Sequence, residues 1–267
     1  MPLLFLYVNR PCVVLGRFQN PWIETNQAYL AQNDIWMVRR QSGGGCVFHD
    51  EGNLNYCFMI PSGMIDRKYH VDLIARAFKK AEIELTVSPR HDLWLADSEG
   101  NWKKISGSAY KQTKEASFHH GTFLVNSDLD KLEESLKQTI VADSSKSIAS
   151  VRSKVITLQE RFPAVEISDV IEILAHELKV IPEAIGGDLL SQPALQESFQ
   201  NLTKWEWLWG ETPAFEYQGM KIHKGLVKEP FEAKFTREAM GSHLSASELD
   251  RLFPDFSNQF EGMQGIF

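Results

Sequence analysis

This chain has few basic residues, few cysteines and no long apolar run. Its 28 Lys and Arg stand against 35 Asp and Glu, a net charge of −7. That balance excludes the broad basic footprint of a nucleic-acid-binding protein, though not a local basic pocket. The three cysteines, Cys12, Cys46 and Cys57, are odd in number and lack metal-type spacing, which suits a reducing compartment rather than a disulfide framework. Apolar runs are short, so no segment reads as a membrane span. No repeat, low-complexity tract or targeting signal is visible. Leu3–Val8 reads as a core strand with no polar lead-in, as if a piece were missing upstream. Against these absences stand 267 residues, 43% apolar and 24% charged, enough for one large domain and a smaller one.

Residues 3–8 and 12–16 are apolar runs separated by Asn9-Arg10-Pro11, which predicts a hairpin. Thr25 or Asn26 can cap a helix through about Gln32. Ile35–Val38 and Asn53–Met59 read as strands. Between 68 and 81, Val71, Ile74, Ala75, Phe78 and Ala81 share a helical face. Ile83, Leu85 and Val87 alternate as a strand. Leu93–Leu95 and Trp102–Ile105 flank a polar turn, a hairpin signature, and Gly121–Asn126 is a further strand. Helices are expected near 128–140 and 168–180. Residues 182–203 read as polar and irregular, placing a boundary between domains at 1–190 and 200–267. Two strand-like runs and a helix, capped through Ser245–Glu248, follow Trp205. Met59, Met64 and the Trp205–Trp209 cluster read as core.

The densest chemistry lies at residues 39–53, Arg-Arg-Gln-Ser-Gly-Gly-Gly-Cys-Val-Phe-His-Asp-Glu-Gly-Asn. Three consecutive glycines let backbone amides converge on an anion, and Arg39 and Arg40 offer planar cationic forks for phosphate or carboxylate. Three more clusters mix charged and small residues at strand ends, where ligand sites commonly lie. These are Arg90–Leu93, Lys103–Ala109 and Phe118–Thr122. Lys103 and Lys104 face opposite ways on a strand, so only one of them can serve a site. Taken singly, each cluster is more often a turn, a solvated face or a pair of structural histidines.

Taken together and in order, they resemble the lipoate–protein ligase A and lipoyltransferase family. The resemblance rests on the 39–53 loop, on Lys104-Ile-Ser-Gly-Ser-Ala109 and on His119-His-Gly-Thr122. Gly16–Trp22, Ser150–Val155 and Trp205–Trp207 support it. It implies an α/β fold of the α+β type: a mixed, largely antiparallel sheet with packed helices, like biotin ligases and class II aminoacyl-tRNA synthetases. A small C-terminal α/β accessory domain would follow. It also implies a strand and helix ahead of Leu3 and a longer accessory domain, neither of which this sequence matches.

The activity implied is ATP-dependent attachment of lipoate to one lysine of an acceptor domain by way of lipoyl-adenylate. The acceptors would be the E2 of 2-oxoacid dehydrogenases or the glycine cleavage H protein. By the same resemblance Lys104 touches both carboxyl group and phosphate, and Arg40, Gly45, Cys46, Val47 and Phe48 hold the adenylate. Asp92 holds the nucleotide, through Mg²⁺. Ser42, Gly43, Gly44, Ala109 and His120 would line the lipoyl end. Cys46 stands where the family has Ala or Thr, so it reads as a small filler rather than a nucleophile. Ser150, Arg152 and Lys154 fit either a lid or a charged inter-helix loop. A monomer in the cytoplasm, or in the mitochondrion of a eukaryote, is expected, with neither nucleic acid nor membrane as partner. Three readings stay open: ligase, transferase from lipoyl-adenylate or an acyl carrier, and a truncated binder without turnover.

Overall fold

Asp66 opens the longest helix by accepting the Tyr69 amide at 2.9 Å, and the apolar residues behind it recur at helical spacing. The computed structural model describes residues 2–186, 191–217 and 220–222. Its strands are β1 (Leu3–Val8), β2 (Cys12–Leu15), β3 (Trp36–Arg39), β4 (Val47–His49), β5 (Asn53–Pro61), β6 (Thr86–Val87), β7 (Leu93–Ala96), β8 (Trp102–Ser106), β9 (Ser108–Gln112), β10 (Ala116–Leu124), β11 (Ser144–Ser145), β12 (Phe215–Tyr217) and β13 (Met220–Ile222). The helices are α1 (Pro21–Glu24), α2 (Gln27–Gln32), α3 (Arg67–Lys80), α4 (Leu129–Ser135), α5 (Ile167–Leu178), α6 (Pro193–Thr203) and α7 (Trp205–Leu208). Among the described residues no helix is long and apolar enough to cross a membrane.

The chain divides into two compact units, each discontinuous in sequence. The first gathers the residues up to Pro11, then His49–Leu132 and Val151–Ile185. Its main sheet is antiparallel in the order β1-β5-β10-β9, and a second runs β6-β7-β8. Leu54, Tyr56, Phe58 and Ile60 alternate inward along β5, as the two-residue period of a strand requires. Against them pack Val71, Ile74 and Phe78 of α3 and Val170 and Leu174 of α5. Phe78 stacks on Phe123 with ring centres 4.8 Å apart. At the rim, Glu177 of α5 takes Lys80 of α3 at 2.6 Å. The expected strand through Ile83 is shorter, only β6, though Ile83 and Leu85 are buried.

The second unit gathers Cys12–Phe48, Glu133–Ser150 and the described residues from Gly186 on. Its sheet runs β3-β2-β4, and β2 pairs β3 in parallel from Cys12 opposite Trp36 to Leu15 opposite Arg39. A small antiparallel sheet, β11-β12-β13, joins residues far apart in sequence. Asn20 and Asn26 cap α1 and α2 by accepting the amides of Trp22 and Tyr29. Val13, Leu15, Leu30, Met37, Trp205 and Leu208 are buried, and Trp22 meets Trp209 with ring centres 4.9 Å apart.

The structure corrects three expectations. The 3–8 and 12–16 runs are not a hairpin: β1 pairs β5 and β2 pairs β3. All four residues of β2 are buried, the mark of a central strand covered on both faces rather than of a half-exposed hairpin arm. Residues 193–203 are helical, with Pro193 at the first position, where its missing N–H costs nothing. Met59 and Met64 are exposed, the first because it falls on the outward side of β5's alternation. The helix expected after Ser245 lies outside the described residues.

Candidate active site

In the second unit, β3 delivers the chain to the glycine loop. Gly44 sits at φ 93°, a conformation that a side chain disfavours. A Cβ on Gly16 would collide with the Gly44 carbonyl oxygen, so the loop after β2 packs backbone to backbone on the glycine loop. Arg40 folds the loop onto itself. Its Nε donates to Ser42 Oγ at 3.1 Å, Nη1 to the Val14 carbonyl at 3.0 Å, and Nη2 to the carbonyls of Gly43 and Gly45 at 2.8 and 2.7 Å. Ser42 is buried. A methyl group on Gly43 would meet nothing within 4 Å, so the loop is open there. The Cys46 amide donates to Ser150 Oγ at 2.9 Å, and the Ser150 amide to Glu24 Oε1 at 3.2 Å. Cys46 and Phe48 are buried, and Val47 is half-buried.

Arg39 is not the outward fork expected of it. It is 2% exposed and points all its donors at protein oxygens. Nε and Nη2 reach the Leu208 carbonyl at 2.9 and 2.7 Å, and Nη1 reaches those of Gly16, Arg17 and Gln19 at 3.3, 3.2 and 2.8 Å. Burial, with Arg17 nearby, brings its pKa down to about 10, so it stays charged at neutral pH. Sequence could not tell it from Arg40. Its partners Leu208 and Thr212 lie some 170 positions along the chain, and no local pattern points to them.

In the first unit, the β7–β8 hairpin carries the lysines. Lys104 Nζ stands 3.0 Å from Asp92 Oδ1, their side chains 23% and 13% exposed. Lys103 turns to the other face and pairs with Asp97 at 3.2 Å, as strand alternation predicts. Lys104 is held by backbone on a second edge too. Its amide donates to the Lys154 carbonyl at 2.9 Å, and its carbonyl accepts the Ile156 amide at 3.1 Å. Lys154 therefore contributes its backbone to a parallel bridge. A Cβ on Gly107 would sit 3.0 Å from Lys104 Nζ, so glycine there leaves the ammonium room.

Asp92 is set by a turn that sequence reading passed over. Ser88 Oγ accepts the amides of Arg90 and Asp92 at 3.2 and 3.1 Å, and Ser108 Oγ donates to the His91 carbonyl at 3.1 Å. His91 adopts φ 63°, a conformation rare for non-glycine residues. Register places Ala109 directly opposite His120, with Gly121 opposite Ser108. The first unit thus holds Asp92 just ahead of β7 and Lys104 on β8, paired with each other, and Ala109 on β9 opposite His120 on β10.

His120 is half-buried while its neighbour His119 is 0% exposed. His119 Nδ1 lies 3.1 Å from His70 Nδ1, so one ring donates and the other accepts. Burial, followed by the proximity of His70, pushes the His119 pKa down to about 3. Burial likewise pushes the Tyr56 hydroxyl, 3.4 Å from Ser106 Oγ, up to about 12. His49 takes a structural partner, its Nδ1 meeting Asn9 Nδ2 at 2.9 Å.

Among the described residues no three His, Cys, Asp or Glu side chains converge as a metal cage. Asp92 is a single carboxylate. That fits Mg²⁺, which is held by one or two carboxylates together with substrate phosphates.

The model of the lipoyl protein ligase A/B catalytic domain matches residues 1–179. The chain is 38% identical over 226 residues to a lipoate-protein ligase A of Psychrobacter cryohalolentis, a match covering 80% of this chain and 65% of that protein. It thus spans about two thirds of that relative's length. Among solved structures it resembles a lipoate-protein ligase A bound with ATP, with TM-score 0.64 and 25% identity over 79% of this chain and 86% of the other. It also resembles P. falciparum LipL1 in complex with lipoate, with TM-score 0.62 and 25% identity over 82% and 66%. A bipartite lipoate protein ligase from Thermoplasma acidophilum, solved with its E2 lipoyl domain, matches in fold, with TM-score 0.63 and 24% identity over 79% and 85%.

Proposed function

Because the chain belongs to the lipoyl protein ligase A/B catalytic-domain family, we propose that it attaches lipoate to a lysine of lipoyl acceptor domains, with ATP as the activating substrate. In the first step a lipoate carboxylate oxygen attacks the α-phosphorus of ATP and pyrophosphate leaves. In the second, the acceptor amine attacks the acyl carbon of lipoyl-adenylate and AMP leaves. The acceptors are an E2 lipoyl domain or a glycine cleavage H protein, and the enzyme works as a cytoplasmic monomer. Cysteines without a disulfide suit that compartment.

The first step brings two anions together. At about 4 Å they repel by ~4 kcal/mol at an effective dielectric of 20, so a fixed cation is required. The observation that carries the proposal is Lys104 Nζ, held by Asp92 at 3.0 Å, not fully buried and with Gly107 leaving it space. We assign it contact with both the carboxylate and the α-phosphate, stabilising charge as it develops. The glycine loop, closed by Arg40, presents the backbone of Gly45, Cys46, Val47 and Phe48 to the adenylate, and Ser42, Gly43 and Gly44 lie toward the lipoyl end. Ala109 and His120 flank the acyl end. Asp92 would hold Mg²⁺ with the phosphates, and the ion would supply charge neutralisation there. The buried Cys46 thiol does not favour an acyl-thioester route.

The test is the intact mass of an apo lipoyl domain incubated with enzyme, lipoate, ATP and Mg²⁺. A lipoyl adduct is expected, accompanied by pyrophosphate release. Lys104→Ala should lower the rate by roughly 10²- to 10³-fold, as loss of one charge-stabilising donor does. An undiminished rate in that variant refutes the role. Transfer from supplied lipoyl-adenylate without any pyrophosphate release would reduce the enzyme to a transferase.

A further inference from the structure

The segment Trp205–Thr212 and the glycine loop belong to the same unit, and two arginines join them. Trp207 Nε1 donates to the Arg39 carbonyl at 2.7 Å. The Arg39 guanidinium returns the contact to Leu208 O through Nε and Nη2, and Nη2 also reaches Thr212 Oγ1 at 3.3 Å. On its other side Nη1 holds the Gln19 carbonyl at 2.8 Å. The Gln19 side chain accepts from the Gly16 amide at 2.9 Å and donates to Ser150 Oγ at 2.9 Å, the oxygen that takes the Cys46 amide. Arg17 runs beside this path. Its guanidinium lies 4.2 Å from the Trp207 ring centre and 2.8 Å from Glu211, and its backbone amide donates to Ser42 O at 2.9 Å.

A buried guanidinium ringed by carbonyls is a stiff coupler, because shifting any one acceptor strands a charged donor. Its backbone is the last residue of β3, directly ahead of the loop. We propose that Arg39 is a positioning residue that transmits the seating of Trp207–Thr212 to the glycine loop, so that the loop's hold on nucleotide depends on that distant segment. The consequence for nucleotide rests on the adenylate reading above; the mechanical coupling does not.

Trp207→Phe keeps an aromatic ring beneath Arg17 but removes the donor to Arg39 O, and Thr212→Val removes one acceptor. Both are mild changes, and hydrogen exchange reads the coupling directly. Amides of residues 43–46 should exchange about three- to tenfold faster in Trp207→Phe, the equivalent of one ordinary hydrogen bond. Those of β5 and β10 should keep their rates. The KM for ATP should rise by a similar factor with kcat held within about twofold. Arg39→Lys, which keeps the charge but loses the fork, should show the larger effect on both. Wild-type exchange at 43–46 in both mild variants overturns the proposal. Faster exchange with unchanged KM overturns its nucleotide half. A wild-type enzyme that releases no pyrophosphate sinks the ligase reading instead, and exchange alone then decides the coupling.

Discussion

Two neighbouring histidines on β10 take opposite roles because a strand turns successive side chains to opposite faces. His120 is half-buried opposite Ala109, and His119 is sealed against His70, which stacks on Phe58 with ring centres 4.3 Å apart. His119 has a folded-state pKa of about 3, below its ordinary ~6.5. Between those values the unfolded chain binds a proton that the folded chain refuses. Its stabilising contribution is therefore complete above pH ~6.5 and falls away as pH drops, costing about 2 kcal/mol by pH 5. Urea midpoints of wild type should decline over that range, and His119→Gln should show a shallower decline; equal slopes would contradict the assignment. Sequence gave the identity of these residues and, through alternation, separated Lys104 from Lys103. It could not separate Arg39 from Arg40, since both precede the glycines and only long-range carbonyls distinguish them.

At the scale of single elements, α3 was the most legible part of the chain, and its start carries a specific cost. Asp66 accepts the Tyr69 amide at the N-terminus. Asp66→Ala should destabilise the protein by about 1 kcal/mol and Asp66→Asn by much less, read as thermal midpoints; equal midpoints would show the cap idle. The β7–β8 hairpin and β5 were likewise readable, because turn residues and period-two patterning are local signals. Pairing was not. That Leu3–Val8 would join β5, that β2 would run parallel to β3, and that Lys154–Ile156 would bridge Lys104 all depend on contacts between residues distant in sequence. Helix α6 was hidden by its polar, proline-led sequence, and its residues are nearly all exposed.

For the molecule as a whole, ligand and fold are linked. If ATP and lipoate bind only the native chain, saturation raises stability by RT ln(1 + [L]/Kd), about 2.7 kcal/mol at a hundredfold excess over Kd. A non-hydrolysable ATP analogue with Mg²⁺ should raise the thermal midpoint by several degrees in wild type and by less in Lys104→Ala. No shift in wild type would contradict nucleotide binding altogether. The interleaving of the two units sets a different constraint. One is finished only by residues reaching Ile185, and the other draws on both Cys12–Phe48 and the stretch beyond Gly186. On a ribosome, then, the early strands wait with unburied apolar faces while more than half the chain is still being made. No contiguous fragment holds either unit without carrying part of the other, so truncation libraries of this protein should return soluble pieces rarely, and chaperone engagement during translation should be prolonged.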